Sequence, residues 1–446
     1  IDYGAGTDVS WWANSPSPTS FFSAESKYEF FGGYDHARGA GVVHVADAGI
    51  SPGKKFFTWA NGPFGHQWQR NLMDDTGEYL ELMAGVFTDN QPDFSWIMPH
   101  ETRTFSQFWF PVQQIGAMKN ANVRAAINLE LKGDVAWCGV YATEVLPHAQ
   151  VILSGKDHVL FERTVDLAPG APFTVEVSVL AGIEPTSLLL RVLTAAGEEI
   201  IRYQPEGPGD GSLPEPYQPV PAPGDVSQNE QLYLIGLHLE QYRHPTLVPE
   251  IYWEEALRRD PGDARCNLAL GKSLLRRGLF KQAEAHFRKS VQRLTAWNFN
   301  PYDGEAHYNL GLVLQYQGCL DEAYKAFYKA VWNYAWQSAG YYALAQIDLQ
   351  RKDYARALDH LERSLQVNSQ SSKARSLKAA LLRRSGNPAG AAALAAGTFQ
   401  MDPLDFWARY EYVLATEAQG HASKSAAALA EMKHLIRDEA QTYLDI

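Results

Sequence analysis

Two patterns of apolar and polar positions divide the chain. Up to about residue 203 the apolar residues come in short runs that alternate with polar ones, the period-two signature of half-buried strands. The runs at 126–131, 135–141, 173–179 and 187–193 are bounded by Gly, Pro and Asp turns. About seven such strands across 122–203 predict a small β-sandwich of immunoglobulin type, without the cysteine pair of that fold. Residues 1–121 carry further short strands, at 41–46 and 78–83, with long polar loops between them. From 226 onward the pattern becomes helical and repeats itself.

The repeat is read from three positions at once. Stepping from the turn at Gly278, the next turns fall at Gly318, Lys352, Gly386 and Gly420, intervals of 40, 34, 34 and 34. A small residue keeps the same register at Ala283, Ala323, Ala357 and Ala391, and a larger one at Phe287, Phe327, Leu361 and, reduced, Ala395. A 34-residue period with small and then bulky positions on the second helix is the tetratricopeptide signature. One helix pair cannot bury its own apolar stripe, so stacking is what stabilises it. About six repeats over 226–446 are expected, and the fold class is therefore multidomain β plus α, with an α-solenoid at the end. Between the halves, 204–225 holds seven prolines in 22 residues, which suits neither helix nor ladder and predicts an extended linker.

The 40-residue interval contains six extra residues, at Trp297-Asn298-Phe299-Asn300-Pro301-Tyr302. The repeat after it is crowded with aromatics, more than a helix stack needs. Trp332, Tyr334, Trp336, Tyr341 and Tyr342 are accordingly read as an interaction surface, for the N-terminal half of the chain or for a protein partner. Lys272 and Asn309 fall at inward positions, but the neighbouring repeats offer Ala and Leu there, so no clamp for a peptide carboxylate is formed.

Charge sharpens the division. The net charge of −12 splits into 27 acidic and 13 basic residues over 1–225 (net −14) and 24 acidic and 26 basic over the remainder (net +2). No basic stripe suits nucleic acid, and no apolar run approaches the roughly 18 residues that cross a membrane. Three scattered cysteines, Cys138, Cys266 and Cys319, fit a reducing, cytoplasmic setting rather than a disulfide framework or a zinc site. No phosphate-cradling glycine motif and no metal-ligand spacing occurs, so neither cofactor nor metal is expected.

The densest candidate chemistry lies in 59–96. Sugars present apolar CH faces that stack on rings, and hydroxyls that suit planar bidentate partners. Trp59, Asn61, Trp68, Arg70, Asn90, Gln91 and Trp96 supply those types and are the candidate substrate-binding residues. Glu81, flanked by Leu80 and Leu82 on a strand, is the candidate base; Asp89 and Asp93 are candidates for the second acid or for substrate ligands. His44, between Val43 and Val45, is a candidate acid. Each has a plainer reading: Glu81 tied to Arg70 or a turn, the aspartates capping loops, His44 satisfied in a core or at the surface, the tryptophans filling a core.

The runs Gly32-Gly-Tyr-Asp35, Pro52-Gly-Lys-Lys55, Trp59-Ala-Asn-Gly-Pro-Phe-Gly65, Glu81-Leu-Met-Ala-Gly85 and Thr88-Asp-Asn-Gln-Pro-Asp-Phe-Ser-Trp96 resemble a family of large bacterial proteins. That family joins a galactose-mutarotase-like β-supersandwich to a small β-sandwich and then to tetratricopeptide repeats; Trp332-Asn-Tyr-Ala-Trp336 and Tyr341-Tyr-Ala-Leu-Ala345 extend the resemblance into the repeats. It implies that 1–121 is the closing part of a supersandwich preceded by a long stretch, and that a sugar or glycoside is bound or transformed by acid–base chemistry. The rival expectation is a non-catalytic scaffold working through the repeats.

Overall fold

The computed structural model describes residues 7–23, 26–74, 77–88, 95–156, 158–207, 218–242 and 246–436. It resolves the chain into two compact units, Ile1–Ser95 with Thr104–Gln218, and Trp96–Arg103 with Pro219–Ile446.

The first unit is built from antiparallel sheets. β1 (Thr19–Ser23), β4 (Lys54–Thr58) and β5 (Leu80–Ala84) form one, in the order β1-β4-β5; β2 (Phe30–Asp35), β3 (Ala40–Ala46) and β6 (Gln107–Gln113) form another, in the order β2-β3-β6. Between β4 and β5 runs a helix, α1 (Pro63–Leu72), where the sequence reads as a loop. Its signals are Gly62 before it, Pro63 in its first turn and Arg70 in its last. Two four-stranded sheets follow. β7 (Asn120–Ala121), β8 (Ala125–Lys132), β9 (Val135–Ala142) and β12 (Phe173–Ser178) are ordered β12-β9-β8-β7. β10 (Leu146–Gly155), β11 (His158–Leu167), β13 (Leu188–Leu193) and β14 (Glu199–Tyr203) are ordered β11-β10-β13-β14. Alternation does the work here: Ile127, Leu129, Cys138 and Val140 from one sheet meet Val151, Leu153, Leu190 and Val192 from the other in a single buried core. A second core joins Val43 and Val45 of β3 to Val112, Ile115, Ala126 and Tyr141, tying the β2-β3-β6 sheet to the sandwich.

The second unit is the α-solenoid. Its described helices pair as α2 (Asn229–Tyr242) with α3 (Glu250–Arg259), α4 (Ala264–Arg276) with α5 (Phe280–Leu294), α6 (Glu305–Tyr316) with α7 (Leu320–Ala330), α8 (Gln337–Gln350) with α9 (Tyr354–Val367), α10 (Ser372–Arg384) with α11 (Pro388–Met401), and α12 (Phe406–Ala418) with α13 (Ala422–Ile436). The repeated small positions Ala283, Ala323, Ala357 and Ala391 are all fully buried, as are Phe287, Phe327 and Leu361. The first helix of each pair adjusts to the size of what it meets. A Cβ on Gly236 would lie 2.3 Å from Trp253, one on Gly271 2.5 Å from Phe287, and one on Gly311 2.6 Å from Phe327. Thirty-four residues after Gly311 the corresponding residue is Ala345, in the repeat whose bulky position shrinks to Leu361. The proline-rich segment ends on this unit: Tyr252 donates to the Pro221 carbonyl at 2.9 Å and Arg259 to the Val226 carbonyl at 2.7 Å.

Candidate interaction surface

The 59–81 candidates are partly assembled. β4 and β5 pair Phe57 with Glu81, so both side chains share one face of the sheet. The Phe57 ring meets Trp59 edge-on at 4.8 Å, and Trp59 stacks on Trp68 of α1 at 4.6 Å with 13° between planes. Glu81 accepts a 3.0 Å hydrogen bond from the Tyr79 hydroxyl. Arg70 points elsewhere, donating to Gln67 at 2.8 Å, and so does not hold Glu81. Asn61 is a structural clasp: its side chain donates to the Ala13 carbonyl and its backbone N–H to that of Ser15. Asp89, Asn90, Gln91 and Asp93 lie outside the described residues.

His44 reaches no open cleft. It is 0% exposed, wedged between Phe31 at 5.0 Å and Trp109 at 4.7 Å, and neither ring nitrogen has a hydrogen-bond partner among the described residues. Burial, and then the Lys54 charge, lower its pKa, so it stays neutral. Lys54, given no role by the motif it belongs to, is 4% exposed and donates to the Ser26 hydroxyl at 2.7 Å and to the Tyr28 carbonyl. It lines a cleft of about 380 Å³ with Phe21, Phe31, Phe56 and Leu82.

The aromatics of the solenoid sort into two kinds. Trp336 is core: 4% exposed, stacked on Tyr308 at 4.9 Å, with its indole N–H donated to Asp303 at 2.7 Å. Tyr342 is 7% exposed, and Tyr341 is half-buried against His360 at 5.7 Å. Trp332 and Tyr334 alone of the five stand out, at 67% and 70% exposed. The inserted residues join them: Trp297 and Tyr302 are essentially fully exposed, and Phe299 is 83% exposed. Polar contacts fix this region to the helices. Asn333 caps the turn that follows it and donates to the Tyr302 carbonyl at 2.7 Å; Lys329 binds Asn300 at 2.5 Å and lies 3.7 Å above the Trp332 ring. Lys272 and Asn309, the inward polar pair, are occupied by Glu305, through its carboxylate and its backbone carbonyl respectively.

Tyr342 is covered by a segment from far away in the sequence. Residues 96–103 belong with the solenoid, where the His100 ring packs on Tyr342 at 4.3 Å. Asn368, at the end of α9, donates to the His100 carbonyl at 2.5 Å and to the Thr102 hydroxyl at 3.0 Å. The strap is knotted internally by Glu101, which accepts from the Met98 N–H and from Arg103, and by Arg103, which also donates to the Trp96 carbonyl. Burial, with a smaller push from Lys373, lowers the His100 pKa to about 4. Trp96 thus belongs to the solenoid unit, and Trp59 and Trp68 belong to the β unit.

Among the described residues no group of three His, Cys, Asp or Glu side chains is arranged to hold a metal ion, and no helix is long and apolar enough to cross a membrane. Residues 120–203 match the family model for the second domain of YphG-like proteins, and 2–112 match a domain of unknown function, DUF5107. Among solved structures, PilF of Pseudomonas aeruginosa is 20% identical, with 49% of this chain and 96% of PilF covered at a TM-score of 0.41. YrrB, described as a TPR protein with an unusual peptide-binding site, is 19% identical, with 42% and 93% covered at 0.35. MamA is 18% identical, with 40% and 94% covered at 0.35. Both family matches precede the solenoid helices, and the helix-pair register makes the second unit a tetratricopeptide solenoid.

Proposed function

We propose that the chain is a repeat-based interaction scaffold whose working surface is the aromatic patch around the inserted residues. One observation carries this: Trp297, Phe299, Tyr302, Trp332 and Tyr334 expose five large rings in one stretch of the solenoid, whereas Tyr308, Phe327 and Trp336 of the same stretch are buried. Clustered exposed aromatics are the usual anchors of protein interfaces, because they bury much area at low entropic cost. A cytoplasmic setting belongs to the same proposal, in keeping with three unpaired thiols. The test is a paired affinity capture with the full chain and with the Trp297→Ala/Phe299→Ala/Tyr302→Ala variant. A partner held by the first and lost by the second supports the reading; identical partners at identical yield would sink it.

A second reading, carbohydrate binding or transformation by a mutarotase-like β domain, is favoured by the Trp59–Trp68 stack on the face that carries Glu81. Glycan-array and glycoside-hydrolysis screening of the full chain tests it, with Glu81→Gln as comparison. Activity unchanged in that variant removes Glu81 from the mechanism, and an absence of any glycan bound removes the reading.

A further inference from the structure

We infer that the cleft beside the insertion receives an acidic segment of a partner protein, a carboxylate seating at Lys329 while an adjacent aromatic side chain lies on Trp332 and Tyr302. The inference rests on the scaffold reading and names what that scaffold grips. The cleft holds about 290 Å³ and is walled by Asn300, Tyr302, His307, Lys329, Trp332 and Asn333 among others. That is near the lower end of ligand pockets, which run from about 300 to 1,000 Å³, and suits one side chain with a charged neighbour rather than a large cofactor.

The chemistry of the wall selects the sign of the ligand. Among the described residues that line it Lys329 alone is charged, and none carries a carboxylate. The nearest acids in the sequence are engaged elsewhere: Asp303 accepts from the Trp336 indole and from the Glu305 N–H, and Glu305 pairs with Lys272 at 2.8 Å. An ammonium has three N–H groups. One goes to Asn300 at 2.5 Å and the charge lies over the Trp332 ring, so the cation is held in place with donor capacity left for a carboxylate. His307 is 9% exposed, and its Nε2 has no hydrogen-bond partner among the described residues, a buried polar atom in the wall of an open cleft. Burial, then Lys329, lower its pKa to about 4, so the wall adds no second charge at neutral pH. Trp332 and Tyr302, 67% and 99% exposed, give the flat apolar face beside the cation.

The experiment titrates the full chain with acetyl-Phe-Asp-amide, acetyl-Phe-Asn-amide and methyl glucuronide, following the indole N–H signal of Trp332, assigned through Trp332→Phe. The acidic peptide should bind at least tenfold more tightly than its amide twin, with affinity flat from pH 6 to 8. Lys329→Gln should erase that difference, and Trp332→Ala, read by titration calorimetry because it lacks the reporting indole, should weaken both peptides. Equal affinity of the two peptides, tighter binding of the glucuronide, or no movement of the Trp332 signal would overturn the inference. If the dipeptides fail while the triple aromatic variant still loses its partner, the acidic-segment inference falls alone and the scaffold reading stands.

Discussion

Gly311 shows how tightly single side chains fix the stacking. With a Cβ only 2.6 Å from the Phe327 ring, a Gly311→Ala substitution overpacks the pair, and overpacking of this kind costs about 1–3 kcal/mol. The repeat that follows solves the same contact with Ala345 and Leu361. Adding Phe327→Leu to Gly311→Ala is therefore expected to recover much of the loss, and a chemical-denaturation double-mutant cycle measures that coupling; additive losses would contradict the account. Lys352 offers the opposite case. It sits at the turn where the other repeats have Gly278, Gly318, Gly386 and Gly420, and shares their left-handed backbone, with φ of 61°. A side chain there is strained, so Lys352→Gly should stabilise the chain by about 0.5–1 kcal/mol, read as a raised denaturation midpoint.

At the scale of elements, the strap 96–103 is the piece whose docking is set by pH. His100 has a pKa of about 4 when docked, against 6.5 for a free histidine. Between those values a released strap binds a proton that the docked one refuses, so docking is fully present above pH 6.5 and is lost as pH falls towards 4. Hydrogen exchange of 96–103 should accelerate over that window and should cease to do so in His100→Gln; a strap whose exchange ignores pH between 7 and 4 would refute the linkage. The strap also marks a limit of sequence reading. Its own residues carry no helical or strand period, and its partners Tyr342 and Asn368 lie more than 240 positions away, so only packing assigns it to the solenoid. Helix α1 is different: Gly62, Pro63 and Arg70 mark its two ends in the sequence, although its ten residues are too short to show a clear helical period.

For the whole molecule, the order of β sheets followed by a solenoid was legible in the sequence, because both follow from periodicity, two residues in one half and 34 in the other. The candidate site was legible only as a region. A count of aromatics does not say which way each faces, and Trp336 and Tyr342 are core while Trp332 and Tyr334 are not. The better signal was the interruption itself. Six residues added to a strict repeat cannot join the stack, so Trp297, Phe299 and Tyr302 had nowhere to be buried within it. In the β half, Trp59, Trp68 and Glu81 belong to one aromatic face, whereas His44, alternating with Val43 and Val45, is buried as they are.

The claim that the aromatic patch is the working surface is tested most directly by photo-crosslinking in cells. A benzoylphenylalanine replaces Phe299, 83% exposed in the insertion, or, as a control, Leu180, 79% exposed in the β unit. The account predicts a discrete protein adduct from position 299 that is absent from position 180 and is diminished by Trp297→Ala/Tyr302→Ala. No adduct at 299, or the same adducts from both positions, would contradict it.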